Sequence, residues 1–304
     1  MAEPASFLSM LGGRDRRRGS DLYGRGCVNW LSDYDPSMVP DVLAAIDARP
    51  PRARLVVLSD FDGTLASFDV DPSTPRLSEE TRHALETLAS RDDVTVGLVS
   101  GRRLDDLHRR TQLPAHVYLA GLHGLEIRHG NHDWRHPDLV ESREISDRVA
   151  EAITDAIGAV TGVRLEHKGV SLTVHVRGVD AASRQHVLHS AIDAARPWLD
   201  SGALKLLEAN EAVELLPNIP WTKGDAVRWI VEDIETRVRQ KAWCIFFGDD
   251  VTDEEAFRAV RDGLTVVVGE RPSRARLRLN SPADVAAVLS GVTTSNGHQK
   301  EDRR

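Results

Sequence analysis

Cysteine, aromatic rings, long apolar runs and surplus base are all scarce in this sequence, and each shortage excludes something. Two cysteines, Cys27 and Cys244, occur in 304 residues. That is too few for a disulfide framework or a structural zinc site, so reduced thiols in a cytoplasmic setting are the expectation. No apolar stretch approaches the roughly 18 residues that a membrane-spanning helix needs, and no membrane partner is expected. The segment Phe7-Leu8-Ser9-Met10-Leu11 precedes the basic run Arg14, Arg16, Arg17, Arg18, an order opposite to that of a secretory signal. The run itself reads as a solvated charged stretch. Lysine plus arginine number 39 against 47 aspartate plus glutamate, a net charge of −8. Such a field repels a phosphate polymer, and nucleic acid is not an expected partner. With aromatics at 5%, the core must be built from Val, Leu, Ile and Ala, the usual filling of a parallel sheet between helices.

What is present is a rhythm. LVVLSDFDGT from Leu55, VTVGLVSGR over 94–102 and VYLAGLHG over 117–124 read as buried strands that end in polar loops, with helical patterns between them. Ser78-x-x-Thr81 with Glu79 and Glu80 opens one of those helices. The pattern resumes with a helix from Lys223, the strand KAWCIFFGDD over 241–250, a helix from Asp253, the strand LTVVVG over 264–269 and a last helix near Ala283–Leu289. Strand and helix in alternation indicate an α/β fold, a Rossmann-like parallel sheet with its chemistry at the carboxyl ends of the strands. Between the two halves the rhythm changes to helices over 146–160 and 181–195 and to alternating strands such as Leu172, Val174, Val176 against Thr173, His175, Arg177. This predicts an inserted α/β cap domain. The expected organisation is an extension over 1–50, core over 51–139, cap over 140–212, core over 213–290 and a polar tail over 291–304.

Four loops carry the chemistry. Asp60-Phe61-Asp62-Gly63-Thr64 follows a buried strand, and two carboxylates one residue apart repel unless a cation or a proton intervenes. Asp60 is a candidate nucleophile and metal ligand, and Asp62 a candidate general acid and base. An Asp-Gly turn whose carboxylates accept backbone hydrogen bonds is the plainer alternative for the tripeptide Asp62-Gly63-Thr64 taken alone. Ser100-Gly101-Arg102 ends the second strand, and Lys223-Gly224-Asp225 opens a helix. Gly248-Asp249-Asp250-Val251-Thr252-Asp253 crowds three carboxylates at one strand end, which favours a hard cation such as Mg²⁺ over zinc or copper. In the cap, Glu166 and Lys168 stand two apart on an alternating strand, where they suit either sugar hydroxyls or a solvent-facing salt pair.

Taken in order, these loops resemble the haloacid-dehalogenase-like (HAD) phosphatases. The segments DFDGTL, SGR, GLHGLE (121–126), LEHKGVSLTVHVR (165–177), VELLPNIPWTKGDAV (213–227) and FGDDVTDEEAF (247–257) are similar to those of trehalose-6-phosphate phosphatases, over about residues 55–290. The resemblance implies attack by Asp60 on phosphorus to give an aspartyl-phosphate, with proton transfer by Asp62. It further implies a phosphoryl contact from Ser100, charge compensation by Lys223, and Mg²⁺ on Asp60, Asp249 and the backbone carbonyl of Asp62. Asp250 and Asp253 would support the metal and the lysine. Gly101, Arg102, His123, Glu166, Lys168 and Glu214 are the implied substrate contacts, with His175 and Arg177 as weaker candidates. The implied substrate is a sugar phosphate: trehalose 6-phosphate, or alternatively sucrose phosphate, a glycosyl phosphoglycerate or a trehalose-like pseudo-disaccharide phosphate. A catalytically dead regulatory relative would be expected to lack one of the acidic or lysine positions. Functional coupling to a trehalose-6-phosphate synthase is the implied partnership.

Overall fold

A computed structural model describes residues 38–67, 75–209 and 211–295. Cys27, the basic run of residues 14–18 and residues 296–304 of the tail lie outside them. The chain begins with α1 (Val39–Asp47), β1 (Arg54–Ser59), α2 (Glu79–Ala89), β2 (Val94–Val99), α3 (Leu104–Thr111) and β3 (Tyr118–Gly121). A hairpin of β4 (Glu126–His129) and β5 (His132–Arg135) follows. Then come α4 (Leu139–Ile157), β6 (Arg164–His167), β7 (Leu172–His175), α5 (Ala181–Asp200), β8 (Leu204–Ala209) and β9 (Ala212–Pro217). The chain closes with α6 (Lys223–Val238), β10 (Ala242–Gly248), α7 (Asp253–Ala259), β11 (Leu264–Val268), β12 (Leu277–Leu279) and α8 (Pro282–Ser295).

The large sheet has the order β12-β11-β10-β1-β2-β3-β4-β5. All pairings from β12 to β3 are parallel, and the β4–β5 hairpin adds an antiparallel edge. Leu55 to Ser59 of β1 are all buried because helices cover both faces. Leu55 and Val57 face α1, α2 and α8 through Val42, Leu85 and Val285. Val56 and Leu58 face α6 and α7 through Ile230 and Phe257. Cutting a residue such as Leu58 back to alanine in this setting costs about 2–5 kcal/mol. Cys244 lies in the second of these layers, and burial pushes its thiol up to about 12, so it is protonated and inert.

The α/β architecture is the one expected, and two parts of it were not foreseen. The β4–β5 hairpin turns at Gly130-Asn131, and its strands EIRH and HDWR are largely polar and half exposed, so no apolar alternation marks them. Helix α4 starts at Leu139, well before 146, because Leu139 itself is buried against Leu122, Leu125 and Ile219.

The smaller sheet is antiparallel, with the order β6-β7-β9-β8 and running to Pro217. Leu172, Val174, Val213 and Leu215 form one face and pack against Val149 and Ile153 of α4 and Val187, Ala191 and Ala195 of α5. Strand alternation therefore sends Glu166, Thr173, His175 and Glu214 to the opposite face.

Candidate active site

Parallel pairing brings the ends of β1 and β10 side by side, with the Asp60 amide donating to the Phe247 carbonyl at 2.8 Å. The loops after both strands therefore open at the same edge. Asp60 is 4% exposed and accepts a hydrogen bond from Lys223 Nζ at 2.8 Å. Lys223 also donates to Asp253 Oδ1 at 2.8 Å, and Asp253 is wholly buried. The lysine is held at the first turn of α6 by a reciprocal cap. Asp225 N–H donates to the Thr222 hydroxyl, and Thr222 N–H donates to the Asp225 carboxylate at 2.8 Å.

Asp253 also organises the acidic loop. Its Oδ2 accepts the Asp249 amide at 3.1 Å and the Asp250 amide at 3.0 Å. A side chain at Gly248 would meet the Asp253 carboxylate, since a Cβ there lies 2.5 Å from Cγ. Asp249 accepts the Thr64 hydroxyl at 2.7 Å, which ties the DFDGT loop to the acidic loop. Asp250 is exposed and accepts the Val251 amide.

Charge is concentrated here. Burial, and then the nearby Asp253 and Asp249, hold the Asp60 carboxyl well above the usual carboxylate range, with Lys223 pulling the other way. Burial also pushes Asp249 up to about 6, with Asp253 and Asp250 adding to the rise. Burial lowers Lys223, but Asp253 and Asp60 outweigh it and hold the ammonium well above its ordinary value. Oxygens of Asp60, Asp249 and Asp253 lie within 4.8 Å of one another. Both oxygens of Asp253 are already engaged, so Asp60 and Asp249 have the free donor capacity. An all-oxygen set with one lysine for three acids suits a hard divalent cation.

The second pair of loops meets beside it. Ser100 is buried and its hydroxyl accepts the Arg102 amide at 3.2 Å. The Ser100 carbonyl accepts the His123 amide at 2.8 Å, and the Arg102 carbonyl accepts the Leu122 amide at 2.8 Å. Leu122 and His123 are both held at positive φ, 52° and 58°, a strain of order 1–3 kcal/mol for each such residue. Gly101 lies against the His123 ring, and Gly124, at φ 97°, leaves no room for a Cβ beside Ala226. Burial pushes the His123 imidazole down to about 3, reinforced by Lys223, Lys168 and Lys205, so it is neutral at physiological pH. Arg102 grips Asp62 with two bonds, Nε to Oδ2 at 2.7 Å and Nη2 to Oδ1 at 2.6 Å. Its Nη1 donates to Asp106 at 3.0 Å, and its guanidinium lies over Phe61.

The candidate residues of the smaller sheet are arranged differently from the simple strand picture. Strand β6 ends at His167, so Lys168 falls in the following turn and donates to Glu214 at 3.0 Å rather than pairing with Glu166. Glu166 pairs with His175 Nε2 at 2.9 Å, a contact that lowers its carboxyl, assisted by Lys168 and Arg164. Glu166, Thr173 and Glu214 form one cross-strand row, and the buried Thr173 hydroxyl has no hydrogen-bond partner among the described residues. Arg177 is exposed and bonded to Glu211, apart from this group.

Between the loops of the large sheet and the smaller sheet lies a cleft of about 280 Å³ whose lining includes His123, Lys223, Ser171, Lys205, Trp221 and Glu255. Sequence reasoning missed Thr64, Lys205, Trp221 and Glu255. Thr64, Trp221 and Glu255 lay inside the quoted segments DFDGTL, VELLPNIPWTKGDAV and FGDDVTDEEAF, whereas Lys205 had only the alternation of LKLLEA.

The profile of the trehalose-phosphatase family matches residues 58–283. The chain belongs to that family. Its members are phosphoric monoester hydrolases, and this protein is an enzyme of that class. A trehalose-phosphate phosphatase of Mycobacterium ulcerans is 32% identical over 306 residues, covering 94% of this chain and 76% of the relative. One of Mycobacterium avium is 33% identical, covering 94% and 77%. The C-terminal domain of Candida albicans trehalose-6-phosphate phosphatase superposes with a TM-score of 0.69 at 20% identity, covering 86% of this chain and 99% of that one. At that identity the superposition speaks for the HAD-type fold alone.

Proposed function

We propose that this protein hydrolyses trehalose 6-phosphate to trehalose and inorganic phosphate. The observation that carries the chemical half is the buried Asp60–Lys223–Asp253 array with Asp249 beside it. Phosphoryl transfer demands placement of a nucleophile and neutralisation of spread negative charge, and this array offers both. An Asp60 carboxylate oxygen attacks phosphorus while the bond from phosphorus to the sugar oxygen breaks, giving an aspartyl-phosphate. Asp62 gives its proton to the departing oxygen, then takes one from the water that cleaves the intermediate. Protonation makes an Asp62 oxygen a much weaker acceptor for an Arg102 N–H, so one of the two Arg102 bonds loosens, with Asp106 retaining the guanidinium. Ser100 and the amides of Gly101 and Arg102 are suited to the phosphoryl oxygens, and Lys223 to the charge shared by Asp60 and substrate. His123, Glu166, Lys168 and Glu214 supply donors and acceptors for sugar hydroxyls.

Mg²⁺ suits Asp60, Asp249 and the Asp62 carbonyl, and a cation there neutralises charge on the phosphoryl group. An acid whose pKa is raised in the folded state favours that state as pH falls through the raised value and penalises it as pH rises. A cation removes that penalty and competes with the proton. The rise in melting temperature on adding Mg²⁺ is therefore expected to be larger near pH 7 than near pH 5, and to shrink in Asp249→Asn. A rise independent of pH and of Asp249 would place the metal elsewhere.

The experiment that tests the substrate is phosphate release, with Mg²⁺, from trehalose, sucrose and glucose 6-phosphates. Preference for the first is expected; equal rates on all three would leave a general sugar phosphatase. Glu166→Ala should lower kcat/KM for trehalose 6-phosphate by about tenfold, as loss of a charged hydrogen-bond acceptor does. An unaltered value would remove Glu166 from recognition. Among the described residues no helix is long and apolar enough to cross a membrane. A cytoplasmic setting and coupling to a trehalose-6-phosphate synthase complete the proposal, supported by family membership and by a net charge unsuited to nucleic acid.

A further inference from the structure

The phosphate loops engage only the reacting end of a substrate, yet the cleft continues past them. On one side it is apolar: Leu122, Leu125, Val170 and Ile219 form a cluster with Trp221 packed against it. A phosphate alone gains nothing from such a wall, whereas the C–H face of a pyranose ring does. Trp221 is held rigidly, 4.9 Å from the Trp134 ring and 5.4 Å from His136. It also immediately precedes the Thr222–Asp225 cap that positions Lys223.

Besides Lys223, two charged groups line this space. Lys205 comes from β8 of the cap, paired with Leu216, another cleft residue. Among the described residues Lys205 makes no ion pair or hydrogen bond, in contrast to Lys168, which is committed to Glu214. Its charge reaches the interior all the same, since it is one of the three lysines that depress His123. An ammonium has three N–H donors and no acceptor function, and here none of the three is used. Glu255 comes from α7 of the core. One of its oxygens holds Arg258, and its backbone carbonyl rests against Gly224, where a Cβ would approach to 2.4 Å. That contact fixes the Glu255 backbone against Gly224, the residue that follows Lys223. Glu166, Lys168 and Glu214 do not line this space.

We propose that Lys205, Glu255 and Trp221 seat the sugar ring that does not carry the phosphate, and so set the preference for a disaccharide phosphate over a monosaccharide phosphate. Lys205 donates to ring hydroxyls, Glu255 accepts from them, and Trp221 covers the apolar ring face. This rests on the trehalose 6-phosphate reading above.

The test compares wild type, Lys205→Met and Trp221→Phe on trehalose 6-phosphate and glucose 6-phosphate, with thermal melts as a folding control. Lys205→Met should raise KM for the disaccharide ester about tenfold, the loss of one charged hydrogen bond, with little change in kcat. Its kcat/KM for glucose 6-phosphate should fall far less. Free trehalose should quench tryptophan fluorescence in wild type and more weakly in Trp221→Phe. A purely structural role would depress both substrates alike, and that result, or an unchanged ratio of the two in Lys205→Met, overturns the proposal while leaving the trehalose 6-phosphate reading intact. A wild-type protein that does not hydrolyse trehalose 6-phosphate overturns both.

Discussion

Asp60→Asn is expected to abolish phosphate release, by a factor on the order of 10³ or more as for loss of other nucleophiles, without unfolding the protein. The asparagine keeps the shape, and its amide oxygen can still accept from Lys223, which retains Asp253 as a full ion-pair partner at 2.8 Å. Removing one charge from the crowded set of Asp60, Asp249 and Asp253 relieves the repulsion that holds the Asp60 carboxyl above its usual range. The melting temperature without added cation should therefore equal or exceed that of wild type. Substantial turnover would assign the nucleophile elsewhere, and a large fall in melting temperature would show that Asp60 is needed for the fold.

Lys223→Met should be inactive for a different reason. The lysine is 4% exposed and is the shared partner of Asp60 and Asp253, both nearly or fully buried. Its removal leaves acids without their counter-charge, and breaking a buried pair from one side costs about 3–5 kcal/mol. The acids would respond by binding protons, so the folded state would take up more protons than the unfolded one. The deficit is thus smallest at low pH and grows as pH rises through the raised carboxyl values. Urea unfolding of both proteins near pH 5 and near pH 7.5 measures this. Equal stability of variant and wild type at the higher pH would mean that the acids are not held by Lys223. The contrast between an inactive, stable Asp60→Asn and an inactive, unstable Lys223→Met separates the chemical surplus of charge from its structural compensation.

Three of the four candidate loops were legible because each follows a buried strand, and strand ends in a parallel sheet converge by topology; Lys223 instead opens a helix. The aliphatic run before Asp60 and the one before Asp249 already imply neighbouring loops if their strands pair, and they do. The division of labour among the acids was not legible. Asp249, Asp250 and Asp253 stand close in sequence, but only three-dimensional structure distinguishes the fully engaged Asp253, the partly buried Asp249 and the exposed Asp250. In the cap, alternation identified the polar face but not its pairings, because partners such as Lys168 and Glu214 lie 46 residues apart. Lys205 of β8, Trp221 of the loop before α6 and Glu255 of α7 lie in three separate segments, and no spacing rule links them. The β4–β5 hairpin escaped because its two short strands, the outer of which is the sheet edge, carry too few apolar residues to show a period.

The β1–β10 pairing has a further consequence, in folding kinetics. Arg54 sits opposite Ala242, and Lys223 and Asp60 are 163 residues apart, with the smaller sheet formed entirely by the intervening chain. Every contact in the smaller sheet is closer in sequence than the Asp60–Lys223 and Thr64–Asp249 bonds, 163 and 185 residues apart. Such short-range structure forms early and long-range parallel pairing late. On dilution from denaturant, helical signal should return well before phosphate release, and the interval between them times the closure of the chain's two distant segments.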